Sequence, residues 1–320
     1  MKRRILLAGL SAALALPRAA RAESFAAYVA HLRARALAAG IPAPVVRAAT
    51  RHLRPNAKIL HLDHHQAEFT MSWADYSARI LTAPRIDGGV RKAAAVRSLL
   101  AAITSRFGVS AEPLLGIWGV ETNFGASQGH FGVIDALATL AWDRQSPYFT
   151  NEAVCALRII ARGDAPASRL LGSYAGAMGQ PQFMPSVYLS TAVSFSGAHA
   201  PDIWHSAADS LASMANYLAK AGWRPGEPSS EPVLAPASIA PAQTGRGNVQ
   251  PLSWWLAAGV QRLPGAANVG PATPCALLLP DGPGGEAFLV YANFNAIRRY
   301  NPSDFYALAV GALGRTVLSA

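Results

Sequence analysis

Acidic residues and cysteines are both scarce in this chain. Its 320 residues include 18 Asp and Glu and two cysteines, Cys155 and Cys275. No C-x-x-C pair or other zinc-type spacing of Cys and His occurs, which disfavours a structural zinc site. Two cysteines without a further pattern leave a disulfide open. Beyond the N-terminus no apolar run reaches the ~20 residues that a membrane span needs, and no Lys/Arg stripe indicates nucleic-acid binding.

The N-terminus has the three features of a secretory signal peptide in the right order. Basic residues 2–4 precede an apolar run, 5–16, and an A-x-A cleavage site, 20–22. The order favours export over a frayed amphipathic helix and leaves the Sec and twin-arginine routes open. Because no cysteine lies near the cleavage site, we expect a soluble periplasmic protein without a lipid anchor. Outside residues 1–22 a mild basic excess remains, which fits a polyanionic partner such as the cell wall.

Apolar residues at three- and four-residue intervals predict a mainly helical chain. After Arg224, Pro, Gly and Ser predominate, and the apolar runs 275–279 and 287–291 indicate strands of a small β subdomain. The fold class predicted is therefore α+β, with helices dominating. The helical pattern is found in residues 25–55, 90–107, 111–121, 135–140, 151–162, 207–222 and 303–318. The first of these ranges is interrupted at Ile41-Pro42.

Glu121 is an acid within an apolar helical stretch. It follows the turn 116–120 (Gly-Ile-Trp-Gly-Val) and precedes Thr-Asn-Phe-Gly. Burial against aromatic side chains and a helix C-terminus both raise the pKa of a carboxyl. A carboxyl that stays protonated near neutral pH is what a glycosidic leaving oxygen requires. The alternative is a structural glutamate paired with an arginine.

The segment 172–186 combines three glycines, two prolines and two glutamines with Met178, Phe183 and Met184. Such a composition lets the backbone approach a ligand and presents amides, hydroxyls and apolar faces together. Sugars bind to this mixture. An ordinary connecting loop is the alternative that composition alone leaves open.

Five segments together resemble the membrane-bound lytic transglycosylase B family, in the right order and over nearly all of the chain. A sixth segment, 66–70 (Gln-Ala-Glu-Phe-Thr), also resembles the family. The five are 119–125 (GVETNFG), 134–140 (IDALATL), 172–188 (GSYAGAMGQPQFMPSVY), 208–223 and 293–310.

The resemblance implies a lysozyme-like catalytic core and cleavage of the β-1,4 bond between N-acetylmuramic acid and N-acetylglucosamine without water, leaving a 1,6-anhydromuramoyl end. It places the catalytic glutamate at Glu121. The implied division is a signal peptide (1–22), a helical N-terminal region (23–100), the core (101–223), the β subdomain (224–290) and a closing segment (291–320). The implied glycan contacts are Ser173, Gln182, Phe183, Met184, Tyr300, Asn301 and Tyr306.

A second acid is missing near Glu121 in the sequence. The nearest downstream are Asp135, interpreted as a helix N-cap, and Asp143. Two carboxylates are usual in glycosidases, but substrate assistance is a known exception. The hypothesis is therefore that Glu121 acts first as acid and then as base. A hydrolytic muramidase and a non-catalytic wall-binding protein are the alternatives.

No cofactor is expected. Relatives carry an EF-hand-like loop that corresponds to Ser194–Asp202, in which only Asp202 keeps its charge, too few carboxylates for tight calcium binding. His61, His64 and His65, with Asp63 and Glu68, have metal-like spacing, but surface histidines are the preferred interpretation. Trp254-Trp255 is expected to pack in the β subdomain. The chain is expected to be a monomer on glycan strands; cell-wall remodelling partners, strand preference, and internal or terminal cleavage stay open.

Overall fold

The computed structural model describes residues 23–65 and 71–320. The predicted signal peptide and the family-like segment 66–70 lie outside these residues. The described part is mainly helical with two small sheets, which confirms the α+β class. The helices are α1 (Phe25–Ala38), α2 (Ala43–Thr50), α3 (Ala57–His64), α4 (Trp73–Ile80), α5 (Ala83–Ala95), α6 (Arg97–Phe107), α7 (Ala111–Thr122), α8 (Val133–Asp143), α9 (Pro147–Ala161), α10 (Pro185–Thr191), α11 (Ala207–Lys220), α12 (Leu252–Ala257), α13 (Ala292–Tyr300) and α14 (Asp304–Ser319).

Both sheets are antiparallel. The strands are β1 (Phe131–Gly132), β2 (Leu171–Gly172), β3 (Ser230–Leu234), β4 (Gln250–Pro251), β5 (Gln261–Arg262), β6 (Pro274–Leu278) and β7 (Ala287–Val290). A two-stranded ladder pairs β1 with β2, with Phe131 opposite Gly172, and a five-stranded sheet has the order β4-β6-β7-β3-β5. The two runs predicted as strands are β6 and β7, two of the three inner strands of the larger sheet.

Two details of the helical prediction are wrong. The segment 90–107 is not one helix, because Val96 leaves the helical conformation (φ −113°, ψ 17°) between α5 and α6. Asp135 is not an N-cap: Gly132 caps α8, and Asp135 lies in its first turn. Pairing of β1 with β2 fixes Gly132 outside the helix, and an acid in the first turn still complements the helix dipole.

The aromatic pair of the β subdomain divides between core and surface. Trp255 is fully buried, and its indole N–H donates to the Cys275 carbonyl at 3.0 Å. Trp254 is exposed. Core packing is thus confirmed for Trp255 alone. Cys275 in β6 and Cys155 in α9 are both free thiols.

Helix α7 is held against α14 by contacts that leave no room for side chains. A Cβ at Gly116 would lie 2.0 Å from the Val310 carbonyl oxygen, and one at Gly314 would lie 2.1 Å from that of Glu112. Residues 113–119 are all buried, as the apolar sequence of this helix predicts. The contact fixes the position of the C-terminal end of α7, where Glu121 lies.

Replacement of Gly116 by Ala should destabilise the protein by about 1–3 kcal/mol, since the added methyl overpacks the helix contact. Gly88→Ala is the matched control, because Gly88 is also inside a helix and a Cβ there meets nothing within 4 Å. The control should gain up to about 1 kcal/mol from helix propensity. Thermal unfolding of the two variants measures both; a Gly116→Ala protein as stable as wild type would contradict the close contact.

Candidate active site

Glu121 is the penultimate residue of α7 and is half-buried. The chain turns away directly after this helix, at Asn123, which has a left-handed conformation (φ 49°). Tyr306 of α14 donates a hydrogen bond from its hydroxyl to Oε1 of Glu121 at 2.6 Å. The tyrosine is 3% exposed. Glu121 forms no salt bridge among residues 23–65 and 71–320, which argues against the structural alternative.

Burial raises the pKa of Glu121 to about 7, and the hydrogen bond from Tyr306 acts in the opposite direction. Burial is the larger effect because the carboxylate loses most of its hydration at this position. The raised pKa expected from the sequence is thereby confirmed. Near neutral pH the carboxyl is populated in both its protonated and its ionised form, so it can donate a proton and later accept one.

The charge of Glu121 affects the pKa values of two further tyrosines. Burial, followed by this charge, raises the pKa of both Tyr76 and Tyr300. The Tyr300 hydroxyl donates to the Pro181 carbonyl at 2.5 Å, which ties the end of α13 to the glycine-rich segment. The charge of the carboxyl therefore acts on tyrosines of α4, α13 and α14, and only Tyr306 of α14 is hydrogen-bonded to it.

The glycine-rich segment forms two tight turns. In the first, the Ser173 N–H donates to the Ala177 carbonyl at 2.8 Å, and Ser173 Oγ accepts the Ala177 N–H. In the second, Met178 and Phe183 exchange two backbone hydrogen bonds of 2.8 and 3.0 Å. Gly179 has φ +64°, and a Cβ there would lie 2.6 Å from the Ile203 carbonyl oxygen. The glycine is required by this close approach of backbones.

The residues proposed as glycan contacts differ in exposure. Ser173, Gln182, Met184, Tyr300 and Asn301 are half-buried and reach solvent. The Gln182 amide nitrogen donates to the Gly179 carbonyl at 2.8 Å and to the Gln128 carbonyl at 3.1 Å.

Phe183 and Asn301 are placed differently from the rest. The Phe183 residue is 2% exposed, and its ring packs against that of Tyr300 with 5.7 Å between the centroids. Phe183 therefore supports the Tyr300 ring from the protein interior. Asn301 ends α13, where its side-chain oxygen accepts the Ser303 N–H at 3.2 Å. The structure thus bonds Tyr306 to Glu121, leaves Tyr300 under the influence of its charge, and places Asn301 in the turn between α13 and α14.

Comparison with known proteins decides the family. The model of the transglycosylase SLT domain matches residues 24–315. The chain belongs to this family of lytic transglycosylases. The membrane-bound lytic murein transglycosylase B of Escherichia coli K12 is 34% identical over 251 residues, which are 78% of this chain and 68% of the relative.

Solved structures of lytic transglycosylases share the fold. SltB3 from Pseudomonas aeruginosa, in complex with NAG-anhNAM-pentapeptide, has a TM-score of 0.88 at 38% identity, over 93% of this chain and 80% of SltB3. Slt35 from E. coli, in complex with calcium, has a TM-score of 0.77 at 29% identity, over 91% of this chain and 93% of that chain. The lysozyme-like core expected from the sequence is confirmed.

The acids nearest to Glu121 downstream in the sequence of this transglycosylase have other surroundings. Asp143 pairs with His64 Nε2 at 2.8 Å, where α3 packs on α8. Asp135 lies in the first turn of α8, and burial raises its pKa. Neither acid has a contact with Glu121 among those of the described residues, and the one-acid hypothesis stays a prediction.

The histidine cluster contains one group with metal-like geometry. Ligand atoms of Asp63, His64 and Asp143 lie within 4.8 Å of one another. However, the Arg144 guanidinium donates to both oxygens of Asp63 at 2.7 and 2.6 Å. This places a cation where a metal ion would bind. His61 and His65 are exposed and stack with their ring centroids 4.1 Å apart.

The loop that corresponds to the EF-hand-like segment is closed by hydrogen bonds of its own. Asp209 accepts the backbone N–H groups of Phe195 and Asp202, each at 2.9 Å. Asp202 accepts those of Trp204 and His205 at 3.1 and 3.0 Å. Both carboxylates therefore bind backbone donors.

Tyr76 and Gln180 belong to the site and are missed by sequence reasoning. Tyr76 lies in a short helix far from Glu121 in the sequence, and no motif singles it out. Gln180 is within the recognised segment, but the composition of that segment does not distinguish the buried amide of Gln180 from the half-buried amide of Gln182. Only the fold shows that Gln180 is the hydrogen-bond partner of Trp118 and Thr122.

Removal of the Tyr306 hydroxyl should raise the pKa of Glu121 above 7. The hydrogen bond stabilises the ionised carboxylate, so its loss favours the protonated form. In Tyr306→Phe, the alkaline limb of the pH–rate profile should therefore move to higher pH. Tyr28→Phe is the control, a buried tyrosine in another core. An alkaline limb that stays in place or moves to lower pH would contradict the assignment.

Proposed function

We propose that this chain cleaves the β-1,4 bond between N-acetylmuramic acid and N-acetylglucosamine in peptidoglycan without adding water, and leaves 1,6-anhydromuramoyl ends. The observation that carries the proposal is the half-buried Glu121, with its pKa near 7 and a tyrosine as its hydrogen-bond partner. Membership of the lytic transglycosylase family supports it. The anhydro-sugar ligand of the SltB3 structure fits the same product.

The first chemical step is proton donation by Glu121 to the glycosidic oxygen. Tyr306 occupies Oε1, so Oε2 is the oxygen that carries the proton. As the bond between the anomeric carbon and the leaving oxygen breaks, the 2-acetamido group of the substrate assists at the anomeric carbon. Glu121 is left ionised, and the Tyr306 hydroxyl stabilises its new charge.

The second step closes the anhydro ring. The Glu121 carboxylate takes the proton from the 6-hydroxyl of the same sugar, and the 6-oxygen bonds to the anomeric carbon as the acetamido oxygen leaves it. Glu121 is then protonated again, ready for the next cycle. No water is consumed, and the acid and base roles alternate on one carboxyl. A pKa near neutrality suits both steps.

The glycan is proposed to bind beside Glu121, in contact with the accessible residues of the glycine-rich segment and of the α13–α14 turn. Ser173, Gln182 and Met184 would contact the sugars from one side, and Tyr300 and Asn301 from the other. Phe183 would act by holding the Tyr300 ring, because its own side chain is buried.

The substitution Glu121→Gln should abolish turnover and retain binding. The amide keeps the shape of the glutamate side chain but has no acidic proton to transfer to the glycosidic oxygen. Mass spectrometry of soluble products from peptidoglycan sacculi measures turnover. Wild type should release products one water lighter than ordinary muropeptides. Glu112→Gln, on the same helix but paired with Arg315, is the control and should keep the activity.

Each other outcome of this experiment supports a different function. Full-mass products with reducing ends would mean a hydrolytic muramidase on the same fold. Sacculus binding without products from either wild type or Glu121→Gln would mean a wall-binding protein. Loss of activity in Glu121→Gln must not come from unfolding. Since the raised pKa makes ionisation of Glu121 destabilising as the pH rises from 4.5 through about 7, the variant should be at least as stable as wild type above pH 7.

Calcium should not stabilise this protein. In the loop Ser194–Asp202, positions that supply carboxylates in an EF-hand are Ser194, Ser196 and Ala198, and a hard cation needs several charged oxygens. We therefore expect the melting temperature to be the same in millimolar calcium and in a chelator. The variant Ser194→Asp/Ser196→Asp/Ala198→Asp, which restores acids, is the comparison and should acquire a calcium response. A clear rise in the wild-type melting temperature with calcium would contradict the proposal.

The cellular location of the enzyme is predicted from the N-terminal segment. None of the helices in the described part of the chain is long and apolar enough to cross a membrane. Export to the periplasm by residues 1–22, a monomeric state and contacts with cell-wall remodelling proteins stay predictions.

A further inference from the structure

Gln180 lies beneath the end of helix α7 and is 5% exposed. We infer that it is a positioning residue, which fixes the orientation of Glu121 through the two residues Trp118 and Thr122. The inference rests on the proposed function, because it concerns the rate of the reaction that Glu121 performs.

Both ends of the Gln180 amide are used. Its oxygen accepts the Trp118 indole N–H at 2.8 Å, and its nitrogen donates to the Trp204 carbonyl at 3.2 Å. An indole N–H can only donate and a carbonyl can only accept, so one orientation of the amide satisfies both partners. A hydrocarbon side chain could satisfy neither. An ionised carboxylate could accept from Trp118 but could not donate to Trp204.

The backbone of Gln180 is bonded to the same two regions. Its carbonyl accepts the Thr122 hydroxyl at 3.0 Å, and its N–H donates to the Ile203 carbonyl at 2.8 Å. Thr122 Oγ1 also accepts the Gly125 N–H at 3.1 Å. Gln180 therefore holds the last turn of α7 on both sides of Glu121, at Trp118 and Thr122, and anchors it to residues 203–204.

The backbone after Glu121 needs such support. Asn123, Phe124 and Gly125 have consecutive positive φ angles of 49°, 58° and 86°. A non-glycine residue in this region is strained and persists only when its surroundings determine the conformation. A Cβ at Gly125 would lie 2.8 Å from the Gln180 amide oxygen, and the Phe124 ring packs edge-on against that of Trp118. Gln180 thus lies in contact with this strained turn.

A reacting group must be held within a fraction of an ångström of its productive position. Misplacement by about 1 Å costs on the order of 100-fold in rate. Because Gln180 is buried and contacts α7 rather than solvent, its loss should lower kcat and leave substrate binding nearly unchanged. A merely structural amide would instead affect thermal stability alone.

The test compares Gln180→Met, which keeps the length and loses both hydrogen bonds, with Asn293→Leu. Asn293 is the matched control: it is fully buried, and its amide bonds to the backbone of Arg224 and Glu227, away from Glu121. Rates on soluble NAG-NAM oligomers are measured well below the melting temperature of each variant. We expect kcat to fall by about 100-fold in Gln180→Met with KM changed less than about threefold, and kcat to be unchanged in Asn293→Leu.

A second variant tests the hydrogen bonds themselves, including the case in which Gln180→Met does not fold. A protonated glutamic acid at position 180 can accept from Trp118 and donate to Trp204, whereas an ionised one cannot donate. The rate of Gln180→Glu relative to wild type should therefore be near 1 at low pH and fall as the pH rises.

Two outcomes overturn the inference: a Gln180→Met kcat within about threefold of wild type, or a Gln180→Glu ratio that does not depend on pH. Failure of the proposed function is distinguishable from both. In that case wild type itself would release no anhydro products, whatever the residue at position 180.

Discussion

The site depends on the close contact between α7 and α14. Gly116 faces the Val310 backbone, and Gly314 faces that of Glu112, so the helices touch without intervening side chains. Larger residues would hold the helices at the usual 8–10 Å separation of axes or beyond, and the Tyr306 hydroxyl would lose its 2.6 Å contact with the carboxyl. The same approach buries Glu121 and so raises its pKa. Acid strength at this position is therefore a consequence of backbone packing.

The sequence was sufficient for features that depend on neighbouring residues. An acid after an apolar helical turn predicts a carboxyl whose pKa is raised by burial, and the half-buried Glu121 has a pKa of about 7 for this reason. Short apolar runs between turn residues predict β6 and β7, two of the three inner strands of the β subdomain. Asp135 shows the limit of this reasoning, because a cap is defined by the residue at which a helix begins. That residue, Gly132, is set by pairing with a distant strand.

Features that depend on distant residues could not be predicted in this way. Tyr76 reaches the electrostatic field of Glu121 only after α4 packs on α14. Composition and the family resemblance made the glycine-rich segment a candidate ligand-binding loop, but they did not indicate which of its side chains face inward. Gln180 and Gln182 are near neighbours of one residue type, and the fold buries only the first. Phe183 likewise matches a family motif but has its ring in the core.

The separation of Glu121 and Tyr306 along the chain affects when the enzyme becomes active. The two residues are 185 positions apart, and Tyr306 lies in the last helix. A ribosome makes the acid first and its partner almost at the end. Until α14 docks, Glu121 lacks its low-dielectric surroundings and titrates near the ordinary value of 4.5, ionised at neutral pH. An unfinished or C-terminally truncated chain therefore lacks a proton donor.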